Sequence, residues 1–101
     1  MAERHVYGEI DSEADLRKVF SEIREDVDDA DSRPALTELY KRAGYLITLT
    51  HAPSWKTKFG PEDADMRQLA EREFATTAHE INRRAQAIGT AADYHETWGH
   101  H

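Results

Sequence analysis

Six carboxylates fall within eleven residues in SEIREDVDDAD, Ser21 to Asp31. On a helix, Glu22, Asp26 and Asp29 stack along one flank at steps of four and three, with Glu25 beside them. Clustered oxygens of this kind are what hard divalent cations take as ligands. A second acidic spacing, Glu62-x-x-Asp65, opens a later helix, and with Glu22-x-x-Glu25 it makes two carboxylate pairs. Carried on facing helices, the pairs can hold Mg²⁺ against phosphate oxygens and activate a water. His51 is the other candidate. Extending its helix four residues beyond Ile47 puts the imidazole on the buried side, just before Pro53, where it can act as a base or a ligand.

The two carboxylate pairs are similar to those of all-α nucleotide pyrophosphohydrolases. The resemblance rests on Glu22, Glu25, Glu62 and Asp65 alone: the acidic doublet that opens that family's first motif is missing, and the gap between the pairs is long. It implies an all-α, Mg-dependent phosphohydrolase, which is the alternative reading of function. Arg72 and His79 match the loose arginine-to-histidine spacing of helical ribonucleases of the HEPN type, but the pair faces away from Phe74 and Ile81, and a chain this rich in arginine and histidine produces such a match by chance. His79-Glu80 is not a zinc motif, because Arg83 stands where the second histidine is needed. Every feature also has a plain structural use. Acids gather at helix N-termini and on solvated flanks, Arg83 and Arg84 suit a helix C-terminus, and a packed histidine is usually satisfied by a backbone carbonyl.

Three helices must carry these residues. The first starts at Asp11 or Ser12, with Glu13 and Asp15 in the turn where the helix dipole favours negative charge, and runs to about Asp28. Its buried stripe is Leu16, Val19, Phe20, Ile23 and Val27. Asp31-Ser32-Arg33-Pro34 turns into the second helix, where Leu36, Leu39, Tyr40, Ala43, Leu46 and Ile47 form the apolar side. Tyr45 and Leu49 fall outside that stripe, so this helix has apolar surface to spare and is expected at the centre of the fold. The alternative is an α+β fold with strands near residues 4–10 and 45–50, since YLITLT follows a glycine and is rich in β-branched residues. The unbroken step pattern from Leu36 to Ile47 favours the helix. HAPSWKTKFG is a corner in which Trp55 and Phe59 form one short helical turn capping the core. The third long helix begins at Pro61 and ends near Gly89, burying Leu69, Ala70, Phe74, Thr77, Ala78, Ile81, Ala85 and Ile88. The division expected is an arm at 1–10, a helical domain at 11–89 and an irregular tail at 90–101 anchored by Tyr94 and Trp98.

A chain of 101 residues is one domain with a modest core. With 39% hydrophobic and 33% charged residues it is apolar enough to fold. It has no cysteine, which removes disulfides and thiolate chemistry. Twenty acids against thirteen bases give a net charge of −7, a field that repels nucleic-acid phosphates. No stretch is apolar enough to cross a bilayer, and MAERHVYGEID does not read as a signal peptide, so the expected location is cytoplasmic. The fold expected is all-α, an antiparallel three-helix bundle completed by oligomerisation through some of Tyr45, Leu46 and Leu49. The preferred function is a non-enzymatic helical interaction or assembly module that acts as a homo-oligomer and needs no cofactor. The acidic flank of the first helix also suits a basic protein partner.

Overall fold

The computed structural model describes residues 10–90 and 92–98, and among them every regular element is a helix. The elements are α1 (Glu13–Asp29), α2 (Arg33–Thr50), α3 (Pro53–Phe59), a 3-10 turn over Gly60–Glu62, and α4 (Asp63–Ala87). None is long and apolar enough to cross a membrane.

Local chemistry sets the boundaries. The Ser12 and Ser32 hydroxyls accept from the amides of Asp15 and Ala35, capping α1 and α2, and Pro34 sits in the first turn of α2 where a missing donor costs nothing. All five residues of the predicted α1 stripe are buried. The α2 periodicity runs straight through Gly44 to Thr50, so residues 45–50 are helical; of the alternative strand pair, 4–9 lies outside the described residues. Gly60, at φ 55, ends α3, and the 3-10 turn rather than Pro61 itself leads into α4. At the far end Gly89, at φ 80, reverses the chain: its amide bonds the Gln86 carbonyl and the Thr90 amide bonds the Ala85 carbonyl, a Schellman-type stop.

The three long helices run up, down and up. Arg24 of α1 meets Glu73 and Thr77 of α4, and Arg84 Nε donates to the Ala30 carbonyl at 2.8 Å, so α1 and α4 are parallel and share both ends. Arg42 pairs with Asp26 at 3.5 Å across the antiparallel α1–α2 contact. The centre of the bundle is α4, not α2 as the surplus of apolar residues on α2 implied. It packs along both other helices, which touch each other less, and Ala70, Ala78 and Ala85, each 0% exposed, let both approach closely. Phe20 and Phe74 are the largest fully buried side chains, each contributing about 2 kcal/mol through burial alone. Ile10, assigned to an N-terminal arm by its position, is also buried and belongs to the core. Trp55 and Phe59 meet at a tilt with centroids 4.8 Å apart as the expected cap, and Lys58 Nζ ties α3 to the start of α1 through Asp11 at 2.8 Å.

Among the described residues one charge lies inside. Asp63, the first residue of α4, is buried; it pairs with Arg67 one turn on, and its Oδ1 has no hydrogen-bond partner among the described residues.

Candidate functional site

The irregular segment over residues 92–98 lies across α2 and α4. Asn82 of α4 clamps this strap by its backbone: Asn82 Nδ2 donates to the Tyr94 carbonyl at 2.8 Å and Oδ1 accepts from the Tyr94 amide at 2.7 Å. The Tyr94 hydroxyl meets Thr37 Oγ1 at 2.8 Å, and the Tyr40 hydroxyl donates to the His95 carbonyl at 2.9 Å. The strap therefore runs back along α4 and in the same direction as α2, filling the place of a fourth element.

Its last anchor is Trp98. The indole lies over Gly44, where an added Cβ would come within 2.3 Å of the ring. Tyr40 receives both strap rings, at 4.9 Å from Tyr94 and 5.2 Å from Trp98, while Phe74 of α4 meets Trp98 edge-on at 6.0 Å. Much of the apolar arc of α2 is thus covered by the chain itself.

Burial raises the pKa of the Tyr40 hydroxyl above its ordinary 10.0. The folded protein holds this proton more tightly than the unfolded chain, so the associated stability is complete below about pH 10 and is lost as pH rises through the folded value. The phenolate cannot donate to the His95 carbonyl. Alkaline titration followed by tryptophan emission is expected to show the strap loosening in that range, and Tyr40→Phe is expected to remove that phase at the loss of about 1 kcal/mol for one hydrogen bond.

Between the strap, the C-terminal end of α2 and the first half of α4 opens a cleft of about 320 Å³, lined by Ile47, His51, Glu71, Phe74, Glu96, Thr97 and Trp98. Phe74 and Ile47 are buried, so they form its floor; Trp98 is a half-buried wall; His51, Glu71, Glu96 and Thr97 are exposed and make the rim. His51, expected on the buried side, is solvent-exposed because α2 runs out at that residue, its C-cap. The remaining polar lining was not singled out by sequence. The only signal was the anchoring role given to Trp98, which is separated from Gly44 by about half of the chain.

The carboxylate pairs are not brought together. Arg24 sets Glu22 and Glu25 level with Glu73, whereas Glu62 and Asp65 lie beside Asp11 and Glu13 around a shallow cavity at the other end of α1. From Asp65 to Glu73 is eight residues of helix, about 12 Å along the axis. Among the described residues no three His, Asp or Glu side chains are placed to hold one metal ion. Asp26 is engaged by Arg42, while Asp28 and Asp29 are exposed. Arg84 caps the end of α1 through the Ala30 carbonyl, and Arg83 pairs with Glu80 at 3.4 Å. His79 points to solvent and reaches Glu96 of the strap at 3.6 Å.

Of the three residues expected at a subunit interface, Leu46 is 0% exposed and spends its surface inside the chain. Tyr45 is 47% exposed, and Leu49, one turn on, is partly exposed. Comparison with protein-family models, with curated proteins and with solved structures finds no match for this chain.

Proposed function

We propose that this protein is a non-enzymatic helical interaction module that self-associates through the outer face of α2. The observation that carries the reading is Tyr45, the single large hydrophobic side chain left exposed among the described residues, with Leu49 four residues on along the same face. Glu38 and Lys41, both exposed and of opposite charge, lie one to two turns before them. Two copies of α2 lying parallel about a two-fold axis that runs along the helices would set the apolar pair against itself and bring each Glu38 within about a turn of the other copy's Lys41.

A net charge of −7 on each chain opposes this contact, so association is expected to strengthen as salt screens the repulsion. Sedimentation velocity from micromolar to millimolar protein is expected to show a dimer, and Tyr45→Glu is expected to abolish it by burying an unpaired charge at the contact while leaving helicity unchanged. A wild-type chain that stays monomeric throughout, at low and high salt, would overturn the proposal. A basic protein partner is favoured by a separate feature, an open groove between α1 and α2 with Ala30, Ala35 and Leu39 as its floor and Asp26, Asp29 and Glu38 as its rim.

A further inference from the structure

We propose that the cleft between α2, α4 and the strap binds an alkylated ammonium group. The inference goes beyond self-association and does not depend on it. It starts from the lining: Ile47, Phe74 and Trp98 give aromatic and aliphatic surface, Glu71 and Glu96 give carboxylate, His51 and Thr97 complete the rim, and there is neither lysine nor arginine.

Each class of ligand makes a different demand. An anion would meet the carboxylates of Glu71 and Glu96 in a chain already carrying −7. A neutral apolar molecule would fill the floor but would strip water from the same carboxylates without compensation. A bare divalent ion needs several oxygens converging on one point, whereas Phe74 and Ile47 offer none and no three suitable ligands gather here. An ammonium clothed in methyl or methylene groups satisfies both halves. Its hydrocarbon skin rests on Phe74 and Ile47, its charge lies against the indole of Trp98, the strongest cation-π partner among side chains, and Glu71 and Glu96 neutralise it from the rim. The volume of about 320 Å³ is at the small end for ligand sites, matched to a head group rather than a large molecule.

The wall is held in place. Tyr40 and Phe74 contact the Trp98 ring at centroid distances of 5.2 and 6.0 Å, and Gly44 gives it a seat. The indole is therefore set before a ligand arrives, which lowers the entropy lost on binding. Glu96 also faces His79, but both side chains are more than half exposed, so that contact is screened and leaves the carboxylate available.

The same head group occurs on free quaternary amines and on trimethylated lysine side chains, and the experiment separates the two. The full chain is titrated with choline, with a short peptide carrying trimethyl-lysine, with the same peptide unmodified, and with 3,3-dimethylbutanol, the uncharged isostere of choline, while calorimetry and tryptophan emission are recorded. Saturable binding of choline or the trimethylated peptide is expected, with at least about tenfold weaker binding of the uncharged isostere. Tighter binding of the peptide assigns the source to a protein tail, and equal binding assigns it to the free amine; both support the assignment of the cleft. Glu71→Gln, on the exposed side of α4, is expected to weaken binding about fivefold with unchanged helicity, and Trp98→Ala to abolish it. Absence of saturable binding by either cation, or equal binding of the isostere, overturns the proposal. Tyr45→Glu chains are titrated in parallel, so loss of the dimer and loss of the ligand are read separately.

Discussion

Arg67→Met is expected to destabilise the protein by about 3 kcal/mol, several times the effect of an ordinary surface ion pair. The reason lies with the partner it leaves behind. The Asp63 side chain is only 8% exposed and its Oδ1 has no hydrogen bond among the described residues, so Arg67 is the group that compensates its charge. Asp63 heads α4, and the partial positive charge of that helix terminus relieves some of the cost without supplying a bonded donor. The reverse change should be milder. Arg67 is 29% exposed and can turn its guanidinium to water, so Asp63→Asn is expected to cost about 1 kcal/mol. Replacing both, with Asp63→Leu and Arg67→Met, removes the charge and the orphaned oxygen together and is expected to recover most of the loss. Urea unfolding of the three variants followed by circular dichroism checks the order. Equal effects of the two single changes would show that the pair behaves as a solvated surface contact.

What the sequence made legible, and what it hid, follows from the range of the interactions involved. Each stripe of α1 and α4 is set by neighbours three and four residues apart, and the caps at Ser12 and Ser32 by contacts three residues away, so composition and spacing reveal them. The same logic carried α2 through Gly44 despite its β-branched residues, because tertiary burial of Leu46, Ile47 and Thr50 outweighs a weak strand propensity. It failed where a contact joins distant segments. The excess apolar surface of α2 was visible, but not that the strap would cover Tyr40 and Gly44, that Leu46 would be enclosed, or that α4 would hold the centre. Asp63 is one of three acids at the start of α4, and nothing local distinguishes it from the exposed Glu62 and Asp65. The four carboxylates proposed as a metal centre share a spacing, yet spacing along a chain does not fix the level at which two helices meet. The Arg24–Glu73 contact fixes that level here and separates them.

Gly44 offers the strongest test of the strap, because one substitution is expected to change sign with its background. In a helix interior Gly→Ala ordinarily stabilises by about 1 kcal/mol, since alanine loses less backbone entropy on folding. Here the new Cβ would fall within 2.3 to 2.5 Å of three indole carbons of Trp98, too close to be tolerated. Helix α2 is held by α4 and α1, whereas Trp98 hangs from a segment clamped chiefly at Asn82 and Tyr94, so the ring should yield and the helix should not. Displacing it forfeits the contacts with Tyr40 and Phe74 and exposes apolar surface, a loss of about 2 to 3 kcal/mol against the propensity gain. Gly44→Ala alone is therefore expected to destabilise by about 1 to 2 kcal/mol and to shift tryptophan emission to the red, while helicity stays unchanged. In a Trp98→Ala chain the notch is empty, and the same substitution is expected to stabilise by about 1 kcal/mol. The difference between backgrounds, about 2 to 3 kcal/mol, is the coupling between notch and ring. If Gly44→Ala proves equally stabilising in both, the indole does not occupy the notch in solution, and the cleft loses the wall on which cation binding depends.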